Sequence, residues 1–112
     1  MLNVSDILRV FTDSIILAQL NISDSYGYAI NKVISEESNS VFELKEATLY
    51  TSFRRLEDAK YITSYWGDEN SGARRRYYSI TDSGKKYLEE NKNDWDNIKS
   101  LLEKVLNTNK AE

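Results

Sequence analysis

"ELKEATLYTSFRRLEDAKYITSYWGDENSGARRRYYSIT", residues Glu43–Thr81, changes its hydrophobic period partway along. The first half sets Leu49, Phe53 and Leu56 at spacings of four and three, the repeat of one helix face. The second half alternates: Ile62, Ser64 and Trp66 against Thr63 and Tyr65, then Tyr78 and Ile80 against Tyr77 and Ser79. Aromatic and β-branched residues on both sides of Asp68–Gly72 predict a β-hairpin with a longer than minimal loop. Asn70, Ser71 and Gly72 permit a tight, exposed turn there.

Upstream, "SDILRVFTDSIILAQL" (residues 5–20) reads as a first helix capped by Ser5 or Asp6. Leu8, Phe11 and Ile15 form one apolar row, while Val10, Leu17 and Leu20 lie elsewhere around it. A helix apolar on most sides is covered from more than one direction, which points to a partner subunit as a second cover. "SDSYGYAINKVISEES" (residues 23–38) reads as a second helix starting near Asp24 or Ser25, with Tyr26, Ile30, Val33 and Ile34 on one face. Downstream, Thr81 suits the N-cap of a last helix running to about Asn107. That helix carries Leu88, Asn91, Trp95, Ile98, Leu102 and Val105 at spacings of 3, 4, 3, 4 and 3, a heptad seam. Leu88, Trp95, Ile98, Leu102 and Val105 are therefore the candidate dimerisation residues. The order is α-α-α-β-β-α and the fold class mainly α with a β-hairpin: a winged helix-turn-helix plus a C-terminal dimerisation helix. In such a unit the second helix enters the DNA major groove, so residues 1–81, N-terminal helix included, are the expected DNA-binding domain. Residues 82–112 form the dimerisation helix of the same compact unit.

The chain's 112 residues fit one domain, and a composition 40% hydrophobic and 29% charged is that of a globular protein. Neither cysteine nor histidine occurs. Disulfides, thiolate metal sites and the usual general base are thereby excluded. No paired carboxylates can be assigned to a cleft, and "SDSYGY" lacks the glycines of a nucleophile elbow. We expect no catalytic residue, no metal and no cofactor, hence no enzyme. No apolar run approaches the ~20 residues that span a bilayer, and "MLNVSDILRV" has no basic leader region. The expected location is the cytoplasm, without a membrane partner.

Net charge is −3, but it is unevenly placed: −4 over residues 1–44, +2 over 45–81 and −1 over 82–112. The positive third coincides with the helix-hairpin segment. With Leu49, Phe53 and Leu56 inward, a rotation of 100° per residue turns Ala47, Thr51 and Arg54 outward, flanked by Thr48, Tyr50 and Arg55. In a helix-turn-helix that face enters the major groove, where arginine binds guanine bidentately and hydroxyls reach phosphates. An ordinary solvated face is the competing reading. On the hairpin, alternation sends Arg74 and Arg76 one way and Arg75 the other, so the three cannot meet one surface together. Two reach DNA while the third supports the hairpin or pairs with Asp68 or Glu69.

Residues Ala47–Glu90 resemble the PadR family of bacterial transcriptional regulators. The matching pieces are "TLY" and "RRLE" of the recognition helix, the tryptophan and small turn of the wing, "RRRYYSIT" and "TDSGKKYL"; "YGYAI" (Tyr26–Ile30) fits the second helix. The single short C-terminal helix is similar to that of the small subfamily that includes multidrug-responsive repressors. The resemblance implies a dimeric repressor. It also implies DNA contacts from Lys45, Thr48, Tyr50, Thr51, Arg54, Arg55, Arg74, Arg75 and Arg76. One departure is Ala59-Lys60, where the family commonly has glycine; it leaves the helix end open.

Trp95 has two readings: a seam residue between subunits, or a flat wall for planar hydrophobic ligands. In multidrug-binding members, a tryptophan on the last helix lines an intersubunit pocket facing the first helix. The candidate ligand-binding residues are then Trp95 with Asp13, Ser14 and Leu17. The expected partners are double-stranded DNA carrying a pseudo-palindromic operator, a second copy of the chain, and a planar hydrophobic small molecule. The alternative is a winged-helix protein–protein adaptor that does not bind DNA, for which overall acidity is the best support.

Overall fold

The computed structural model describes residues 3–67 and 74–109. The hairpin turn at Asn70–Gly72 and the suggested pairing of an arginine with Asp68 or Glu69 lie outside the described residues. Five α-helices and one hairpin follow the expected order: α1 (Val4–Leu8), a 3-10 turn (Arg9–Phe11), α2 (Thr12–Ile22), α3 (Gly27–Glu37), α4 (Glu46–Asp58), β1 (Ile62–Trp66), β2 (Arg76–Ile80) and α5 (Asp82–Leu106).

The expected first helix is therefore broken, and Ser5 and Asp6 lie within α1 instead of capping it. The break has a local cause. The Thr12 hydroxyl donates to the Arg9 carbonyl at 2.6 Å, competing with the helical ladder, and Phe11 leaves helical geometry at φ −100°, ψ 15°. This turns the Phe11 ring edge-on to Trp95, centroids 5.2 Å apart. Ile16, Leu17 and Leu20 of α2 enter the core, while Leu8, Ile15 and Ala18 pack beside it. So α2 is covered from two sides, and the second cover is the start of this chain's own α5.

The second helix begins at Gly27, later than expected, because Ser25 is used elsewhere. Its backbone N–H and C=O exchange hydrogen bonds with Tyr78 at 3.2 and 2.8 Å, adding one bridge to the edge of β2. Asp24 accepts from the Tyr65 hydroxyl at 2.6 Å. The segment between α3 and α4 is clamped by Asn31, whose amide donates to the Leu44 carbonyl at 2.7 Å and accepts from the Leu44 N–H at 2.8 Å.

α4 ends at Asp58 in a Schellman motif. The Lys60 N–H donates to the Glu57 carbonyl and the Tyr61 N–H to the Leu56 carbonyl, both at 3.0 Å. Lys60 occupies the left-handed position at φ 66°, so the departure from glycine changes the residue without changing the cap. β1 and β2 pair antiparallel, with Trp66 opposite Arg76, Tyr65 opposite Tyr77 and Ile62 opposite Ile80.

The core lies where α2, α3, α4 and the hairpin meet, around Phe53, Ile16, Ile30, Leu56 and Ile62. The Phe53 ring stacks on Tyr78 at 3.9 Å, joining α4 to the wing. Thr81 caps α5, its hydroxyl accepting from the Gly84 N–H at 3.0 Å. Gly84 is required by close approach: a Cβ there would fall far inside contact distance of the Tyr61 carbonyl and 2.8 Å from Ile80 Cγ1. Leu88, expected on the outward seam, is instead buried in the core, because the first turns of α5 pack against α2. From Trp95 onward α5 projects into solvent, with Trp95, Ile98, Leu102 and Val105 between 41% and 61% exposed. The molecule measures 70 × 30 × 21 Å, with a radius of gyration of 16.9 Å, against about 13 Å for a sphere-like chain of this length.

Candidate nucleic-acid interface

α4 presents two flanks. On one, Tyr50, Arg54 and Glu57 form a row that faces the wing. On the other, Thr48, Thr51, Ser52 and Arg55 face the start of α2. Thr51 and Arg54 are exposed, as the rotation of the helix requires, and Lys45, also exposed, stands immediately before the first turn.

The wing-side flank bounds a cleft of about 860 Å³. Its opposite wall is Trp66 with the three arginines, and Tyr78, Tyr26 and Tyr28 complete it. The arginines divide between two aromatic rings, yet all three line this one cleft. That corrects the expectation that they could not meet one surface together: Arg74 and Arg75 precede β2, and strict strand alternation does not hold there. The guanidinium groups of Arg74 and Arg76 lie 4.8 and 5.8 Å from the Trp66 ring centre, while that of Arg75 lies 4.8 Å from the Tyr26 ring. Such cation–π contacts orient the guanidinium groups without neutralising them. Among the described residues, four arginines thus line the cleft against one carboxylate, Glu57. That carboxylate is engaged: it accepts from the Ser64 hydroxyl at 2.5 Å, and Arg76 reaches Ser64 at 2.8 Å and Glu57 at 3.4 Å. The network ties the recognition helix to the wing at a fixed distance. Tyr65 braces the other side. Its hydrogen bond to Asp24 is the main reason its phenol is held above the ordinary tyrosine value of 10.0. Burial raises Tyr78 from the same value, with Arg76 opposing.

Arg55 stands apart from the other arginines. Its Nε donates to Asp13 Oδ2 at 3.1 Å, its terminal nitrogen donates to Asp13 Oδ1, and it also reaches the Ser52 hydroxyl at 3.2 Å. The hydrogen bond to Asp13 is the largest cause of a raised Arg55 pKa. Two residues expected at separate sites are therefore each other's partners. Asp13 faces α4 instead of Trp95, and Arg55 is already paired in the protein alone.

A second concavity, of about 350 Å³, lies between α1, α2 and α5, lined by Ile7, Leu8, Phe11, Ser14, Ile15 and Trp95 among others. Ser14 lines it and accepts from Asn91 at 3.0 Å. Leu17 does not line it: it is fully buried in the core, on the opposite side of α2 from Ile15. The sequence reading passed over Tyr26, Tyr28 and Trp66 at the cleft, although Trp66 stands beside the arginines it orients. Among the described residues no group of His, Cys, Asp or Glu could hold a metal ion. None of the helices is long and apolar enough to cross a membrane.

A recognition helix, a two-stranded wing and a cationic cleft between them define a winged helix-turn-helix DNA-binding protein. Residues 16–90 match the family model described as the transcriptional regulator PadR-like family. The chain belongs to that family, one of transcriptional regulators and not of enzymes. The structure of a transcriptional regulator from Clostridium thermocellum is similar at 43% identity and a TM-score of 0.82, covering 89% of this chain and 97% of that one. A PadR family transcription regulator from Clostridium difficile R20291 superposes at a TM-score of 0.75 with 39% identity, over 86% of this chain and 98% of its own. The negative transcriptional regulator PadR of Bacillus subtilis is 29% identical over 80 residues, 71% of this chain and 42% of that longer protein.

Proposed function

We propose that the protein is a homodimeric repressor of the cytoplasm that binds a pseudo-palindromic operator and is released by a planar hydrophobic compound. The cationic cleft supports the first part most directly: four arginines line one face of a chain whose net charge is −3. In this reading residues 1–81 bind DNA and residues 82–112 dimerise. Lys45, Thr48, Tyr50, Thr51 and Arg54 meet the major groove and its phosphates, and Arg74, Arg75 and Arg76 divide between backbone contact and support of the wing. Repression, as against activation, takes support from the Bacillus subtilis relative, whose name is that of a negative regulator.

Dimerisation takes support from the exposed row Trp95, Ile98, Leu102 and Val105, with Ile7 of α1 beside Trp95. An apolar surface of that extent on a small domain marks an interaction site. The apolar concavity beneath Trp95 supports the inducer. Its volume lies near the lower end of the range for small-molecule sites, and a second subunit against α5 would enclose it further. The ligand set proposed is therefore Trp95, Ser14 and Phe11, without Asp13 and Leu17.

Gel-shift titration of the duplex upstream of the protein's own gene tests the repressor. We expect a discrete complex that survives excess unrelated DNA, and loss of it in Arg54→Ala. Equal competition by unrelated DNA would remove the claim of sequence specificity. For the inducer, a hydrophobic dye should quench Trp95 in a Trp66→Phe background. Unchanged dye affinity in Trp95→Ala would rule out the pocket.

A further inference from the structure

We infer that Asp13 is a positioning residue that occupies Arg55 in the way a DNA phosphate would, so that one arginine of the recognition helix is withheld from the duplex. The inference rests on the reading that α4 faces DNA. Arg55 shares its flank of α4 with Thr48 and Thr51, two of the proposed DNA-facing residues. Left alone there, a guanidinium is a phosphate ligand, since its fork of N–H donors matches two oxygens at once. Asp13 supplies two such oxygens from α2, gripping Nε and a terminal nitrogen together, and Ser52 fixes the guanidinium from its own helix.

The pair is not a mere surface contact. The Asp13 side chain is only 22% exposed, so one partner is held by the packing of α2 while the other, 54% exposed, still faces solvent. Arg54, one residue earlier, is exposed and points to the opposite flank. The "RR" of the recognition helix is thus split into one arginine aimed at the cleft and one held by a carboxylate. A phosphate approaching Arg55 must displace a carboxylate that is already in place.

The test is the salt dependence of duplex binding for the parent, Asp13→Asn, Arg55→Ala and the double variant. Each phosphate neutralised adds about 0.9 to the slope of log K against log salt. We expect Asp13→Asn to steepen the slope by about 0.9 and to tighten binding roughly eightfold at 0.1 M salt. Arg55→Ala alone, which bares the Asp13 carboxylate, should bind no tighter than the parent, and the double variant, which removes both charges, should match the parent. If the double variant keeps the gain, removal of a negative charge explains it and the inference is wrong. A slope shallower by about 0.9 in the double variant than in the parent also overturns it, since Arg55 would then already touch phosphate. A DNA-free readout separates this inference from the DNA-binding reading. The Arg55 Nε–H resonance should be slowly exchanging in the free parent and lost in Asp13→Asn. Fast exchange in the parent means that there is no latch, whatever the duplex does.

Discussion

Lys60 carries the left-handed turn that closes α4, at φ 66°, where a Cβ crowds the following carbonyl. Glycine there should raise stability by about 1 kcal/mol and the thermal midpoint by several degrees. Unfolding scans of Lys60→Gly check this, and a lower midpoint would mean that the lysine side chain contributes more than its backbone strain costs. Gly84 has the opposite character. A Cβ there would collide with the Tyr61 carbonyl, so Gly84→Ala must push α5 off the base of the hairpin. We expect a loss of about 3 kcal/mol, read in the same scans. Tyr78 adds a pH dependence. Burial holds its phenol above 10.0 in the folded chain, so above that pH the unfolded state has released a proton that the folded state keeps. Stability therefore falls as pH rises through that window, and Tyr78→Phe should flatten the decline. An identical alkaline decline in Tyr78→Phe would place the cause elsewhere.

Among the elements, α4 and the hairpin were legible from period alone, because Leu49, Phe53 and Leu56 repeat as a helix does while Ile62 to Trp66 alternate. The Thr81 cap and the end of α5 near Asn107 were legible from residue type. The break at Phe11 was not, since it depends on Thr12 bonding to Arg9 and on Trp95, distant in sequence. Nor was the late start of α3, which follows from a backbone bridge between Ser25 and Tyr78. At the site, the outward face of α4 could be read from rotation, whereas the gathering of all three wing arginines on one cleft could not be read from alternation. The pairing of Asp13 with Arg55, 42 positions apart, could not, and it altered both residue sets. The network of Glu57, Ser64 and Arg76 makes the α4-to-wing spacing a property of these two elements together. Glu57→Ala should release Arg76 and loosen the wing. We expect weaker discrimination between operator and unrelated DNA, with the salt slope kept, measured by competition titration. Unchanged discrimination would show that the wing is held by the Phe53–Tyr78 stack alone.

At the scale of the whole molecule, two facts stand together: an elongated chain with its last turns bare, and a cationic cleft on an otherwise acidic body. The first supports the proposed dimer. Replacing Ile98 and Leu102 together with aspartate should give a monomer in sedimentation, with a thermal midpoint that no longer rises with protein concentration. The second leads to DNA. In the proposed reading, acidity elsewhere disfavours other orientations, and the recognition helix and wing approach the duplex. The most direct test is a fluorescence-anisotropy titration of the upstream inverted-repeat duplex over a range of salt concentrations, for the parent and for Arg54→Ala with Arg74→Ala. The account predicts a linear fall of log K with log salt, shallower in the double variant by up to about 0.9 for each lost phosphate contact. Binding that ignores salt, or that survives both substitutions unchanged, would contradict it.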